Sequence, residues 1–153
     1  MYRTAALLLW LFLLPVAAQS DDLEVRDPWI MEAPPGARVN AGYFGISNRG
    51  DSEAVLVGVD SERFGRVEIH RTVITDGIAG MARESAIAVA AGATVSFQPG
   101  GLHLMLMEAT ARPHAGETVP VSLVFASGSR LQVDFPVRRA GAAEGHGHGH
   151  GSH

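Results

Sequence analysis

The most restrictive feature of the sequence is an alternating segment, residues 102–107, which follows a Pro-Gly-Gly turn at 99–101. In a β-strand, successive side chains point to opposite faces of the sheet. The three leucines of the segment therefore share one face, whereas His103, Met105 and Met107 share the other. A leucine face is typical of a hydrophobic core. The opposite face is either ordinary packing, with Met as filler, or a set of soft metal donors.

The rest of the chain repeats short segments of this kind and shows no sustained helical period. The predicted strands are 25–30, 40–47, 54–59, 66–70, 71–75, 78–83, 86–90, 93–97, 102–107, 119–125 and 131–137. Pro28 predicts that the first of them is an edge strand or the approach to one, and the turn residues at 91–92 predict that the strands on either side of them pair. Short strands at this spacing predict a single all-β domain, a sandwich or Greek-key barrel, over 19–137.

Residues 1–18 have the features of a Sec-type signal peptide. A positive residue, Arg3, precedes an apolar run over 5–14 that is too short to span a membrane, and small residues occupy 16–18. We expect cleavage near Gln19 and a periplasmic protein that is not inserted in the membrane afterwards. The sequence contains no cysteine. Its residues therefore offer no lipoprotein anchor, no disulfide and no thiolate ligand.

The charge of the chain limits its partners. It has 12 basic residues, all of them Arg, against 16 acidic ones, which gives a formal net charge of −4. Loss of Arg3 with the signal peptide makes the chain more negative by one unit. An acidic chain without a basic patch is a poor partner for nucleic acid or anionic lipid. The sequence also shows no nucleophile–base pair, phosphate loop or paired carboxylates, so we expect that it is not an enzyme.

The C-terminal tail, 138–153, consists mostly of Gly, Ala and His, and we expect it to be disordered. It carries His146, His148, His150 and His153, which would bind a divalent ion such as Cu(II). An inert tail is the alternative. This composition also leaves open a second function, a divalent-metal scavenger that acts through the tail while the β-domain is a scaffold.

The Asp-Gly pair at 76–77 is a two-residue hairpin signal, and it fixes which residues face each other. A two-residue turn places Thr72 opposite Met81, so His70 is the diagonal neighbour of Met81 on the same face. Diagonal neighbours lie about 7–8 Å apart at Cα, a gap that an imidazole and a thioether can bridge through one metal ion. Periodicity alone does not bring this hairpin close to the His-Met strand, so hydrogen bonding of His70 and packing of Met81 remain alternatives.

The spacing of these residues matches a known signature. His70 is followed after ten residues by Met81, after twenty-one more by His103 and after one more by Met105. This pattern resembles the signature of the PCu(A)C family of periplasmic copper chaperones. Segments that also resemble the family are 27–30, 33–36, 41–44, 68–70, 76–77 and 99–106, and the resemblance covers about 24–137. One departure is Arg71, where some members have Met.

The resemblance implies a cupredoxin-like β-sandwich that holds one Cu(I) by His70, Met81, His103 and Met105. It further implies delivery of copper towards the CuA centre of cytochrome c oxidase, with the CuA subunit or a Sco-type thiol protein as the acceptor. His-rich extensions of some members are thought to take up Cu(II). The donor chemistry agrees independently, because neutral thioethers suit Cu(I) whereas a blue-copper centre needs a Cys thiolate.

Four other residues are weaker candidates for a role at the metal site. We expect Met107 to shield or pack against the site, Met31 to pack against Trp29, and His114 to be a surface residue. Glu68 shares a face with His70, so it either orients the imidazole or is a solvated carboxylate on a strand.

Overall fold

The computed structural model describes residues 22–141, which form ten β-strands. The strands are β1 (Leu23–Met31), β2 (Val39–Asn48), β3 (Ala54–Asp60), β4 (Phe64–Thr75), β5 (Ile78–Glu84), β6 (Ile87–Val89), β7 (Thr94–Phe97), β8 (Leu102–Ala109), β9 (Thr118–Phe125) and β10 (Arg130–Arg138). Within the described range, no helix is long and apolar enough to cross a membrane.

The strands form two layers that are joined along one side. The first has the order β5-β4-β8-β2-β1, with β7 paired to β2 beyond the end of the β8–β2 ladder. The second has the order β10-β9-β3-β6. Parallel pairing of Ile30 and Met31 with Val137 and Arg138 connects the layers through β1 and β10. This architecture confirms the prediction of a single all-β sandwich.

The core lies between the two layers, and the leucine face of β8 belongs to it. Leu104 and Leu106 are fully buried. The ring of Phe44 stacks on Phe97 at a centroid distance of 4.2 Å and meets the edge of Phe135 at 5.7 Å. Since side chains alternate along β8, the His-Met face is on the outer side of the first layer.

The hairpin between β4 and β5 has the predicted register. Asp76 and Gly77 both have positive φ, 51° and 76°, as a type I′ turn requires. Thr72 faces Met81 as predicted. The two strands predicted over 66–75 are one continuous strand, β4.

The prediction of a second hairpin at 91–92 is wrong. β6 pairs with β3 in one layer, whereas β7 pairs with β2 in the other, so the connection crosses the sandwich. Asn48 holds this crossing in place. Its carbonyl accepts a hydrogen bond from the Gly92 N–H, and its side-chain amide donates to the carbonyl of Val89, each at 2.9 Å. Turn residues reverse the chain locally, but they do not decide whether the flanking strands remain in one sheet.

The prediction of an edge strand at Pro28 is correct for only part of β1. The ladder with β2 shifts register between Arg26 and Trp29, and Asp27 has a φ of 46°. Pro28 therefore lies in a β-bulge, the other place where a sheet tolerates proline. Beyond the bulge, Ile30 and Met31 pair on both sides, with β2 and with β10.

The predicted ends of the chain fall largely outside the structure. The signal peptide (1–18) and residues 142–153, including the four tail histidines, lie outside the described residues. At the boundary that is described, β10 continues to Arg138, one residue beyond the predicted end of the β-domain.

Candidate metal centre

Direct pairing of β4 with β8 brings the two candidate histidines together. His70 lies opposite His103 in the ladder, and their ring centroids are 6.1 Å apart. Glu68 lies opposite Met105, one step further along the same face. This arrangement could not be predicted from the sequence, because the alternation of side chains along a strand does not specify which strands are neighbours.

The position of Met81 differs from that of the other three candidate donors. It is on the same face, but on the edge strand β5, where it lies opposite Thr72. Met81 is 64% exposed, whereas His103 is 6% exposed and the side chain of His70 15%. Met105 is half-buried.

The hydrogen bond of His103 leaves one of its ring nitrogens for a ligand. Its Nδ1 lies 3.1 Å from the carbonyl oxygen of Gly101. A carbonyl can only accept, so Nδ1 carries the proton and Nε2 has a free lone pair. The same carbonyl accepts the backbone N–H of Thr72 at 3.1 Å, which ties the end of the hairpin to the start of β8.

His70 has the opposite arrangement. Its Nε2 lies 2.8 Å from the Oε2 of Glu68, whereas its Nδ1 is buried without a hydrogen-bond partner among the described residues. An ionised carboxylate only accepts, so Nε2 carries the proton and Nδ1 has the free lone pair. A buried polar atom without a partner costs about 1–3 kcal/mol, so this nitrogen is a place where a bound ligand would be stabilising.

The carboxylate of Glu68 is surrounded by positive groups. Its Oε1 lies 3.3 Å from Arg83 Nη1 and 3.8 Å from Arg66 Nη1, and its side chain is 12% exposed. The hydrogen bond with His70 holds the pKa of the Glu68 carboxyl below its usual value. Burial opposes this shift, while the charges of Arg83 and Arg66 reinforce it. Glu68 is therefore a charged hydrogen-bond acceptor rather than the solvated carboxylate of the alternative.

The separation of the two rings is compatible with one shared metal ion. With metal–nitrogen bonds of about 2.0 Å, the centroids of two imidazoles on one ion lie about 5 Å apart at a tetrahedral angle and about 6 Å apart in a linear arrangement. The observed 6.1 Å is at the upper end of this range.

Met81 and Met105 are the candidate donors farthest from each other. They are two strands apart, and Thr72 and Glu68, which face them from β4, are four residues apart. On a flat sheet this register separates their Cα atoms by about 16 Å. Two extended Met side chains with two metal–sulfur bonds of about 2.3 Å span about 13 Å. In this register His70, His103 and Met105 are grouped, whereas Met81 reaches the same ion as Met105 only if the hairpin bends towards the His pair.

Two of the weaker candidates, Met107 and His114, have their contacts away from the His pair. Met107 lines a cleft of about 450 Å³ with Arg66 and Arg112. His114 is an exposed residue, as predicted, with Nδ1 3.2 Å from Glu32 Oε1. No group of three or more His, Cys, Asp or Glu side chains is placed to hold a metal ion within 22–141, so a centre at the His pair depends on thioethers.

Comparisons with known proteins identify the family. Residues 23–137 match the LpqE-like family, described as "Putative lipoprotein LpqE-like". A protein of Leifsonia xyli named "Putative lipoprotein Lxx21020" is 33% identical over 121 residues, covering 78% of this chain and 72% of the relative. "Uncharacterized protein RP573" of Rickettsia prowazekii is 26% identical over 130 residues, with the same two coverages.

Solved structures of PCuAC domains share the fold. The copper-bound PCuAC domain of PmoF2 is 26% identical and superposes with a TM-score of 0.66, over 77% of this chain and 93% of that one. The Cu(I) form of DR1885 from Deinococcus radiodurans is 28% identical, with a TM-score of 0.64 over 80% of this chain and 83% of that one. The predicted resemblance is thereby confirmed, and the chain belongs to the LpqE-like family, with the cupredoxin-like fold of PCuAC domains.

Proposed function

We propose that this chain is an exported, periplasmic copper chaperone that binds one Cu(I) through His70, Met81, His103 and Met105. The observation that carries the proposal is the facing pair of histidines. Each donates one ring N–H to a fixed acceptor, which leaves Nδ1 of His70 and Nε2 of His103 for a metal. Metal-ligating histidines almost always have such an acceptor on the other nitrogen.

The donor set favours Cu(I) over divalent ions. Thioethers are soft and neutral, and neutral imidazoles add no charge, so the Cu(I) complex keeps a single positive charge. The copper-bound relatives support the choice of metal. Such a site performs binding and transfer and needs no group for covalent chemistry.

Direct titration tests the binding site. We expect the chain without residues 140–153 to bind one equivalent of Cu(I) in an anaerobic titration against a competing chelator, and to bind Zn(II) far more weakly. Equal affinity for both metals, or no Cu(I) binding, would contradict the proposal.

The same titration separates the chaperone from the tail-dependent scavenger. A scavenger loses its metal when the tail is removed, whereas the chaperone keeps its Cu(I). We propose that the tail histidines bind Cu(II) separately, with a pH dependence near the unperturbed His pKa of about 6.5, because binding needs neutral imidazoles. Unchanged Cu(II) stoichiometry after deletion would exclude this role.

Delivery is the remaining part of the proposal. Thiolates hold Cu(I) more tightly than neutral donors, so a reduced CuA subunit of cytochrome c oxidase or a Sco-type thiol protein would draw the metal from this site. The exposed Met81 is the donor that an acceptor can replace first. We expect transfer to a reduced dithiol acceptor to become faster with acceptor concentration and to exceed spontaneous release. A rate that never exceeds release would indicate storage.

A further inference from the structure

Among the described residues, Glu68 is the one acidic side chain that hydrogen-bonds to one of the four proposed Cu(I) donors. Its two oxygens have separate partners. Oε2 accepts from Nε2 of His70 at 2.8 Å, and Oε1 faces Arg83 at 3.3 Å and Arg66 at 3.8 Å. The carboxylate is therefore already engaged on both sides, and its geometry is that of a support for His70 rather than of a metal ligand.

We propose that Glu68 is the positioning residue that makes His70 bind copper through Nδ1, while His103 binds through Nε2. This inference rests on the proposed function, because it concerns the same site. Two neighbouring residues on one face of β4 carry it, since positions two apart in a strand point the same way. The carboxylate and the imidazole are 12% and 15% exposed, so water competes weakly for their hydrogen bond.

The unpartnered nitrogen supplies the second observation. With Nε2 protonated and held by Glu68, the buried Nδ1 is the nitrogen of His70 that can take a metal. The hydrogen bond made by one ring nitrogen sets which nitrogen is metallated. His103 instead donates Nδ1–H to a backbone carbonyl. The two histidines are therefore held as opposite tautomers, with Nδ1 free on His70 and Nε2 free on His103.

The arrangement also has an electrostatic consequence. A Cu(I) ion bound by four neutral donors leaves a positive charge on the outer face of the sheet. Glu68 contacts His70 directly, and its ion pairs with Arg66 and Arg83 fix its orientation. Its negative charge therefore lowers the electrostatic free energy of the Cu(I) complex, and its hydrogen bond still leaves Nδ1 of His70 as the nitrogen that binds the metal.

The test compares matched substitutions in the full chain, Glu68→Ala, Glu68→Gln and Glu84→Gln. Glu84 is a suitable control because its carboxylate binds Arg71 on the same sheet and touches neither histidine. The ring nitrogens of ¹⁵N-labelled His70 and His103 are followed by NMR near pH 8, above the usual His pKa of about 6.5, before and after addition of Cu(I).

In the wild type we expect a protonated Nε2 on His70, and a copper-induced shift on Nδ1 of His70 and on Nε2 of His103. Glu68→Ala should give mixed tautomers at His70, leave His103 unchanged and weaken Cu(I) binding about 10–100-fold. Glu68→Gln should recover part of the loss through its amide oxygen, and Glu84→Gln should behave as wild type.

Two results would overturn the inference: a copper-induced shift on Nε2 of His70 in the wild type, or an unchanged tautomer and affinity in Glu68→Ala. The tautomer is measured without copper, so it reports on Glu68 even if the wild type binds no Cu(I), the result that contradicts the proposed function. If Glu68→Ala does not fold, the wild type still decides the inference, because a copper-induced shift on Nε2 of His70 overturns it without any variant.

Discussion

The two parts of β4 have opposite environments. Residues 64–71 pair with β8, the last three of them also with β5, and the side chain of Ile69 in this part is 4% exposed. Residues 72–75 pair only with β5 among the described strands, and Ile74 and Ile78 at the hairpin end are 75% and 73% exposed. One strand thus carries a donor in a packed part of the sheet and leads to another in a projecting hairpin.

The packed and the exposed part of the sheet suit different steps of metal handling, retention and release. His70 and His103 have neighbours that fix their rings, which suits a site that must be ready before the metal arrives. Met81 has an exposed side chain on an edge strand, where a change of position costs few packing contacts. A carrier that has to retain its metal and then give it up needs both kinds of donor.

The largest expected effect concerns stability. Leu104→Ala empties a fully buried position below the His pair, so we expect a loss of about 2–5 kcal/mol in the free energy of unfolding. Ile74→Ala in the hairpin should change it by less than about 0.5 kcal/mol. Urea denaturation measures both, and equal losses would show that the hairpin is part of the packed structure.

The next effect concerns copper affinity. His103→Ala removes a nearly buried donor, and we expect Cu(I) affinity to fall by more than the 10–100-fold typical for loss of a supporting partner. Competition titration measures the affinity, with circular dichroism as a check on the fold. A smaller loss than that of Met81→Ala would reverse the assignment of the holding and releasing donors.

A smaller effect is expected for Met81→Ala. Because Met81 is exposed and distant from Met105, its removal should weaken Cu(I) binding by about tenfold or less, mainly through faster release. Stopped-flow release into a chelator measures the rate. The matched control is Met107→Ala, which changes a thioether that lines the cleft and should leave release unchanged.

The smallest effect lies away from both regions, at Glu32. The hydrogen bond with His114, together with the Ala115 N–H and Arg139, holds the pKa of this carboxyl below its ordinary 4.5, against the effect of burial. A lowered pKa adds stability above the unfolded value, and this stability is lost as pH falls through the folded value. In acid unfolding curves, Glu32→Gln should therefore lose less stability than wild type below about pH 4.5. Parallel curves would contradict this.

Local signals predicted the hairpin half of the candidate site. The residues at 76–77 fixed the turn, and the turn fixed the pairing of Thr72 with Met81. The alternation in β8 separated its core face from its donor face in the same way. Both signals act over a few residues, so they can be derived from the chain alone.

The pairing of β4 with β8 could not be predicted in this way. More than thirty residues separate His70 from His103 in the chain, and no local signal specifies which strands become neighbours. The hydrogen bond of Glu68 to His70 depends on burial as well as on the position of both residues on one face of β4. On an exposed strand, water would solvate the same pair. The hairpin predicted at 91–92 is wrong for a related reason. Turn residues do not specify whether the two strands that they connect belong to the same sheet.

The direct opposition of His70 and His103 links copper to the correctness of folding. A slip of one residue between β4 and β8 would turn one imidazole towards the leucines of the core, and the two rings would no longer face each other. Under the proposed function, Cu(I) therefore binds the native pairing and not a slipped one. A ligand at 1,000 times its dissociation constant stabilises the state it binds by about 4.1 kcal/mol. The cargo would then select the correctly registered sheet over misfolded competitors, and copper present during refolding should increase the yield of native protein.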